Sequence, residues 1–315
     1  MQGMRKLSGF ASIGECMIEL SGAAGDNWRM GFAGDTFNTI WYVRALSAPD
    51  YAVDYVSAFG DDPFSQKQRD FFAENGIGTA KSPIISGARP GLYAITLDGA
   101  ERSFTYWRSD AAARRLAGDR EALAASLKGR DIVYFSGITL AILAPTDRRA
   151  LLEAIAAARD NGSRIAFDPN YRPRLWENAE TARAAIGEAM RLADIALPTF
   201  PDEKDLFGDA SPAATATRLA ALGVKEIVVK DGTGPALVVA EGREESIPAV
   251  TANAVDTTGA GDSFNGAYLS ARLQGLAPAE AARRAHCVAA RVVEFHGALA
   301  PMEEARTAFE RLCEA

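Results

Sequence analysis

The sequence predicts a doubly wound α/β fold, in which helices cover both faces of a mainly parallel sheet and a small β-sheet lid stands off it. From about residue 130 onward, short β-branched runs alternate with longer alanine-rich stretches of helical periodicity. Such alternation of strands and helices builds a parallel sheet. The first third of the chain departs from that rhythm, because residues 91–107 alternate with period two and contain no crossover helix. This stretch predicts a hairpin outside the main sheet.

Four strands of the main sheet and two of the helices that cover it are predicted from the spacing of apolar residues. Each predicted strand is a short run rich in apolar residues, and each predicted helix has apolar residues three and four positions apart. We expect strands at Asp131–Phe135, Arg164–Asp168, Asp194–Leu197 and Lys225–Val229, and helices at Ala150–Asp160 and Ala179–Leu192.

The lid is predicted from a hairpin signal. Gly91–Leu97 and Glu101–Trp107 flank the dipeptide Asp98-Gly99, a strong two-residue turn signal, and Met17–Leu20 is expected to add a further strand. Because α/β folds bind ligands at the carboxyl ends of their strands, a small sheet above that edge can close over a ligand. We expect one domain over residues 1–315, with the lid formed by about residues 15–33 and 88–109.

Composition excludes several partners. The chain has 315 residues, of which 48% are hydrophobic, enough for a sizeable core. It carries 34 Lys and Arg against 41 Asp and Glu, a net charge of −7. An acidic surface repels nucleic acid and anionic lipid, so neither is an expected partner. An anionic ligand would need a local group of cations.

The cysteines predict neither a disulfide framework nor a zinc site. The chain has three of them, far apart and without a CxxC pair, and they form no ligand cluster with the two histidines, His286 and His296. Residues 1–14 make a poor signal peptide, and the longest uncharged stretch, residues 132–146, is too short to span a bilayer. A cytoplasmic protein without membrane contact is expected.

The most informative segment is Asp256-Thr-Thr-Gly-Ala-Gly-Asp262, which precedes an apolar helix. Gly259 and Gly261 allow a tight turn whose N–H groups, with the positive end of the helix dipole, form an anion hole. At the mouth of that hole, Asp262 could act as a general base toward a substrate hydroxyl while the hole binds a transferring phosphoryl group. The alternative is that Asp262 only caps the helix.

Other chemistries lack their motifs. The sequence has no Walker A motif, no GxGxxG after the first strand, no protein-kinase HRD and DFG set and no GxSxG elbow. P-loop enzymes, Rossmann dehydrogenases, protein kinases and hydrolase triads therefore have little support. Phosphoryl transfer is the best-supported chemistry.

A second segment, Gly31–Asn38, opens another helix. Gly34 lets a small ligand approach the backbone, and the Asn38 amide offers a donor and an acceptor to sugar hydroxyls. A plain helix turn is the alternative.

These two segments together resemble a known family. Asp256-Thr-Thr-Gly-Ala-Gly-Asp262 resembles the C-terminal signature of the ribokinase-like (PfkB) carbohydrate kinases, and Ala33-Gly34 with Asn38 resembles their N-terminal signature. The likeness covers essentially the whole chain and implies a ribokinase-like fold. Ala33 stands where relatives have the first glycine of a pair, which slightly narrows the turn.

Five further segments resemble one subfamily, the 2-keto-3-deoxygluconate kinases, which transfer the ATP γ-phosphoryl group to the 6-hydroxyl of that sugar acid. The segments are Ile13–Leu20, Pro90–Tyr93, Tyr106–Arg108, Ser136–Thr139 and Asp168–Trp176. The resemblance implies that Asp262 is the base, assisted by the Gly259-Ala260-Gly261 turn. It implies substrate contacts from Gly34, Asn38, Tyr93, Tyr106, Arg108, Ile138 and Arg172.

The two arginines suit a sugar acid, because a guanidinium binds a carboxylate through two parallel hydrogen bonds. Arg108 and Arg172 are expected to converge on the cleft from opposite sides. A solvated strand end for Arg108 and a structural pairing for Arg172 with the Asp168-Pro169 turn are the alternatives. The tyrosines could simply pack the lid strands together.

The nucleotide side follows from the resemblance as well. It implies binding of ATP and Mg²⁺, with nucleotide contacts from Asn170, Thr199, Lys230, Gly232, Gly234, Gly259, Gly261 and His286. Many relatives carry an Asn-x-x-Glu motif tied to Mg²⁺; here the stretch reads Thr199-Phe-Pro-Asp202, so Asp202 is the candidate ligand on a shorter arm. His286 could instead be a packing residue.

Two rival functions stay open at this level. A kinase for a neutral sugar such as fructose or ribose would use the same base without the arginines. A non-catalytic sugar or nucleotide sensor would need no base. An exposed lid sheet could also pair with a second chain to form a homo-oligomer.

Overall fold

A computed structural model describes residues 8–22, 27–98 and 101–311, without the side chains of residues 97–102. The strands are β1 (Phe10–Ile13), β2 (Met17–Gly22), β3 (Trp28–Ala33), β4 (Val53–Val56), β5 (Phe59–Gly60), β6 (Ile84–Ile85), β7 (Leu92–Asp98), β8 (Glu101–Trp107), β9 (Ile132–Ser136), β10 (Arg164–Asp168), β11 (Ile195–Ala196), β12 (Glu226–Val229), β13 (Ala236–Ala240) and β14 (Arg243–Ile247). The helices are α1 (Asp35–Leu46), α2 (Pro63–Glu74), α3 (Arg120–Leu127), α4 (Gly137–Ile142), α5 (Pro145–Asp160), α6 (Ala179–Leu192), α7 (Phe200–Phe207), α8 (Pro212–Ala221), α9 (Ala260–Leu273), α10 (Pro278–Val292) and α11 (Met302–Arg311), with short 3₁₀ turns at Ala112–Arg115 and Pro173–Leu175.

The main sheet has eight strands in the order β14-β13-β12-β11-β10-β9-β1-β4. The strands from β12 to β4 are parallel to their neighbours, and β13 and β14 add an antiparallel edge. One hydrophobic cluster packs α1, α9 and α10 on one face, and a second packs α5 and α6 on the other. The predicted fold class, a mainly parallel sheet with helices on both faces, is confirmed.

The predicted strands are confirmed with small differences in length. All five residues of β9 are buried, as expected for a central strand covered on both faces. The third predicted strand is shorter than expected: β11 comprises only Ile195 and Ala196. Beyond Ala196 the chain still pairs locally with the segment after β12, since the Pro198 carbonyl accepts a hydrogen bond from the Lys230 amide at 2.9 Å.

The junction of β9 and α4 brings two chain segments into close contact. Ser136 caps α4 through a reciprocal hydrogen-bond pair with Thr139. A β-carbon on Gly137 would lie 1.8 Å from the Pro169 carbonyl oxygen. Only glycine therefore lets the start of α4 approach the turn that follows β10.

The lid is a separate four-stranded sheet in the order β3-β2-β7-β8. Strands β7 and β8 pair antiparallel, with Tyr93 opposite Tyr106. Gly99 of the predicted Asp98-Gly99 turn lies outside the described residues. Three large side chains of the lid, Trp28, Met30 and Trp107, are exposed by 47%, 39% and 58%. Pairing of this sheet with a second chain stays a prediction.

Among the described helices, none combines the length and the apolar character that crossing a membrane requires.

Candidate active site

A cleft of about 1230 Å³ lies between the lid and the carboxyl ends of the parallel strands. Residues that follow β9, β10, β11 and β12 line its floor, and lid residues from β7 and β8 line its opposite wall. The cleft brings together the predicted residues Gly34, Asn38, Tyr93, Tyr106, Arg108, Ile138, Asn170, Arg172, Thr199, Asp202, Lys230, Gly232, Gly259, Ala260, Gly261, Asp262 and His286. Gly234 is the predicted residue that does not line it. The sheet edge is where α/β folds bind ligands.

The N-terminus of α9 opens into this cleft. Gly259 precedes the helix with φ = 77°, and a β-carbon there would lie 2.9 Å from the backbone of Ala298. Both the backbone conformation and the space thus require glycine. The amides of the first helical turn have no partner within the helix, so they can bind an anion.

Asp262 lies in the first turn of α9 and does not cap it, since the helix has no side-chain cap. Its Oδ2 accepts a hydrogen bond from Asn38 Nδ2 at 2.8 Å. Burial raises the pKa of Asp262 to about 7, with a further contribution from the negative charge of Asp35, whereas the hydrogen bond from Asn38 opposes the shift. A carboxylate whose pKa lies near neutrality suits a general base.

Asn38 orients this carboxylate. Its Oδ1 accepts a hydrogen bond from the Gly34 amide at 3.2 Å, so both functions of the side-chain amide are used within the protein. The side-chain amide keeps a second N–H and a second lone pair, and its contact with sugar hydroxyls stays a prediction. Gly34 itself is required by a close approach, because a β-carbon would lie 2.2 Å from the Glu15 carbonyl oxygen.

A buried polar network underlies the cleft. Lys230 Nζ donates to Asp168 Oδ2 at 2.9 Å and to Asn265 Oδ1 at 2.8 Å, while Asn265 Nδ2 donates to the same Asp168 oxygen at 2.7 Å. Nearby, Asn170 Nδ2 donates to Asp35 Oδ2 at 3.0 Å. These bonds hold Lys230 beside the N-terminus of α9, where a β-carbon on Gly261 would lie 3.8 Å from its Nζ.

The lid wall carries the predicted tyrosines and one arginine. The rings of Tyr93 and Tyr106 lie 5.7 Å apart, and the Arg108 guanidinium lies 5.9 Å from the Tyr106 ring centre. Tyr93 is buried and donates its hydroxyl proton to Glu19, whereas Tyr106 is 51% exposed. Tyr93 and Tyr106 therefore contact each other across the two lid strands and also line the cleft.

Arg108 forms an ion pair with Glu15, which is 2% exposed. Burial raises the pKa of Glu15, although Arg108 opposes the shift. Our sequence reasoning missed Glu15 as a site residue. Its position directly after the first strand, at the edge where ligands bind, was the available signal.

Arg172 forms an ion pair with Asp202, with 3.1 Å between Nη1 and Oδ2, and also donates to the Tyr171 carbonyl at 2.7 Å. Burial raises the pKa of Asp202, and Arg172 opposes that shift. The sequence did not predict this pairing. In the part of the chain that the structure describes, no group of three or more His, Cys, Asp or Glu side chains could hold a metal ion.

His286 lines the cleft and lies edge-on to the Phe264 ring, with 5.0 Å between ring centres. Burial lowers the pKa of His286 to about 4, so the ring is neutral at pH 7. Its Nε2 has no hydrogen-bond partner among the described residues. It is thus both a packing residue and an available polar contact for a ligand.

The family follows from comparison with known proteins. A model of the pfkB family carbohydrate kinases matches residues 8–305. The chain belongs to this family. The resemblance seen in the signature segments is thereby confirmed.

Two curated relatives share one name. The 2-dehydro-3-deoxygluconokinase of Dickeya dadantii is 41% identical over 301 residues, covering 93% of this chain and 97% of the relative. The 2-dehydro-3-deoxygluconokinase of Escherichia coli K12 is 40% identical with the same coverage. A crystal structure of a fructokinase with bound ATP from Xylella fastidiosa has a TM-score of 0.83 at 24% identity, covering 96% of this chain and 98% of that one. The last comparison supports the fold alone.

Proposed function

We propose that this protein transfers the γ-phosphoryl group of ATP to the 6-hydroxyl of 2-keto-3-deoxygluconate, the compound also called 2-dehydro-3-deoxygluconate. The products are 2-keto-3-deoxy-6-phosphogluconate and ADP. Family membership and the two relatives of the same name support this substrate.

The observation that carries the proposal is the position of the Asp262 carboxylate. It lies in the cleft, in the first turn of a helix whose amides can bind an anion, and Asn38 holds it through a 2.8 Å hydrogen bond. A base and an anion hole at one point are what transfer of a phosphoryl group to a hydroxyl requires.

The transfer step follows from that arrangement. As Asp262 accepts the proton of the 6-hydroxyl, the hydroxyl oxygen bonds to the γ-phosphorus. The bond between that phosphorus and the β–γ bridging oxygen breaks, and ADP leaves with its electron pair. The Gly259-Ala260-Gly261 amides and the nearby Lys230 ammonium stabilise negative charge on the phosphoryl oxygens.

The sugar acid would bind under the lid. Tyr93 and Tyr106 offer ring faces and hydroxyls there, and Ile138 at the start of α4 offers an apolar contact to the carbon skeleton. Gly34 leaves the backbone accessible at the edge of the cleft. This half of the cleft supplies the shape and the cations that a small acidic sugar needs.

ATP would bind at the other half, along Asn170, Thr199, Lys230 and Gly232 to His286. Mg²⁺ usually binds through nucleotide phosphates and one or two carboxylates. It therefore does not need a cluster of three His, Cys, Asp or Glu side chains, which the described residues do not form. Asp202 could supply one such oxygen. When bound, Mg²⁺ would neutralise charge on the phosphates.

The test is ADP release with ATP and Mg²⁺, comparing 2-keto-3-deoxygluconate, its galactonate epimer, gluconate, fructose and ribose. We expect the highest kcat/KM with a 2-keto-3-deoxy acid. Preference for fructose or ribose would overturn the substrate assignment and leave a neutral-sugar kinase. No ADP release with any of the five would favour a sensor.

A further inference from the structure

One fully buried side chain of α9, Asn265, contacts residues of β9 and β10 and the residue that follows β12. Its Oδ1 accepts a hydrogen bond from Lys230 Nζ at 2.8 Å. Its Nδ2 donates to Asp168 Oδ2 at 2.7 Å and to the Tyr134 hydroxyl at 3.2 Å. The opposite orientation of the amide would set its NH₂ group against the Lys230 ammonium, donor against donor. The chemistry of its neighbours therefore fixes which way this amide faces.

Asn265 lies three residues after Asp262 on α9. Residues at this spacing lie on the same face of a helix. A β-carbon on Gly261, in the first turn of the same helix, would lie 3.8 Å from Lys230 Nζ. One face of α9 thus carries the proposed base and, one turn later, the contact that holds the ammonium beside the anion hole.

The two contacts of Lys230 fix the direction of its ammonium. An ammonium has three N–H donors, and within the described residues Lys230 uses two of them, for Asp168 and Asn265. Because the three N–H bonds are arranged tetrahedrally, two occupied donors determine where the third one is directed. With Asp168 alone, the group could rotate about the bond between Cε and Nζ. Lys230 lines the cleft, so the remaining N–H is available to an oxygen that binds there.

An uncharged anchor suits an ammonium that binds a phosphoryl group. Asp168 already supplies one negative charge at 2.9 Å from Lys230 Nζ. A second carboxylate at position 265 would give this group of side chains a net negative charge, which repels a phosphate. The Asn265 amide instead adds a hydrogen bond without a charge, and it also donates to the Asp168 carboxylate.

We propose that Asn265 is a positioning residue for the phosphoryl transfer, because it holds the Lys230 ammonium with its remaining N–H directed at the oxygens of the transferring group. This inference rests on the proposed function, in which Lys230 stabilises negative charge on those oxygens. Asn265 itself is buried beneath the cleft and acts on the reaction through Lys230.

The first test is the steady-state kinetics of Asn265→Ala with ATP, Mg²⁺ and the sugar acid. We expect kcat to fall by about 10-fold, because the lost hydrogen bond is one made by a charged group that stabilises the transition state. The KM for the sugar acid should change less than about twofold, since this network does not include the lid or α4. Asn265→Ser restores a short polar side chain and should recover part of kcat.

Ser270→Ala is the matched control. Ser270 is also buried on α9, but its hydroxyl donates to the Gly266 carbonyl of the same helix at 2.7 Å, and it does not line the cleft. This variant should keep the wild-type kcat and KM values. Thermal unfolding of every variant measures the structural cost separately from the kinetics.

A double-mutant cycle distinguishes positioning of Lys230 from simple docking of α9 on the sheet. Lys230→Gln removes the charge but keeps a hydrogen-bond donor for Asp168. If Asn265 acts through Lys230, adding Asn265→Ala to Lys230→Gln should lower kcat by less than about twofold further. The recovery of kcat in Asn265→Ser is measured independently of this cycle.

Three results would overturn the inference. They are a near-normal kcat in Asn265→Ala, an equal loss of kcat with and without Lys230, and a loss confined to the KM for the sugar acid. In all three the wild type still phosphorylates the sugar acid. A wild type that uses a neutral sugar instead contradicts the proposed substrate, and the same cycle then tests Asn265 with that sugar. A wild type without kinase activity overturns both proposals.

Discussion

The hydrogen bond between Asn38 and Asp262 should set the pH at which the enzyme becomes active. Asp262 must be ionised to accept a proton, so kcat/KM should rise with pH through its pKa of about 7 and level off above it. Asn38 donates to the ionised carboxylate at 2.8 Å and so favours the charged form. Its removal should move the rise to higher pH.

The size of that shift follows from the strength of the bond. A hydrogen bond to a charged group contributes about 1.5–3 kcal/mol, and 1.36 kcal/mol corresponds to one pKa unit. Because water can enter the space and replace part of the bond, we expect Asn38→Ala to shift the midpoint upward by about one pH unit. Asp35→Asn should shift it downward, since the charge of Asp35 raises the pKa of Asp262.

The assay is coupled ADP release at saturating ATP and Mg²⁺, with kcat/KM for the sugar acid measured from about pH 5.5 to about pH 9.5. The position of the midpoint is compared, not the absolute rate, because Asn38→Ala also alters the sugar subsite. Asn161→Ala, an exposed asparagine that follows α5, is the control and should keep the wild-type midpoint. Unchanged midpoints in both site variants, or shifts in the same direction, would refute the reasoning.

Three further predictions concern stability. Gly34→Ala places a β-carbon 2.2 Å from the Glu15 carbonyl oxygen and should lower the free energy of unfolding by about 1–3 kcal/mol. The measurement is Tm, which should fall; an unchanged Tm would argue against the close approach. Lys230→Met leaves Asp168 without its buried cation and should cost about 3–5 kcal/mol in urea denaturation, and a loss below about 1 kcal/mol would contradict the ion pair's role. Burial lowers the pKa of His286 from 6.5 to about 4, so the unfolded chain takes up the proton first as pH falls. Protonation of His286 should therefore contribute about 3 kcal/mol to the loss of stability as the pH falls between those two values. This contribution should be absent in His286→Gln, so equal pH dependence of stability in both proteins would contradict the prediction.

Local pattern was enough to predict much of the fold. Strands such as β9 and β10 each contain three or more consecutive apolar residues, a signal that is read from neighbours within the strand itself. The edge strand β14 was not predicted, because Arg243–Ser246 are exposed and give no apolar signal. A strand of this kind is defined by its pairing with β13, which sequence spacing does not reveal.

The candidate site shows more clearly that local sequence spacing does not reveal contacts between distant parts of the chain. The sequence pointed to Asn38 and Asp262 separately, but their hydrogen bond joins residues 224 positions apart. Arg108 was expected at the sugar, and its pairing with Glu15, 93 positions away, was not. Residue type and local spacing indicate which groups can take part in chemistry. Which of them neutralise or orient one another depends on the folded chain.

Asp262→Asn tests the central claim most directly, that Asp262 is the base in a phosphoryl transfer. The amide keeps the size of the side chain but cannot accept the proton of the hydroxyl. We predict that kcat falls by about 10²- to 10⁴-fold, while the KM values for ATP and the sugar acid and the thermal unfolding curve stay close to wild type. A folded Asp262→Asn protein with near-normal kcat would contradict the account.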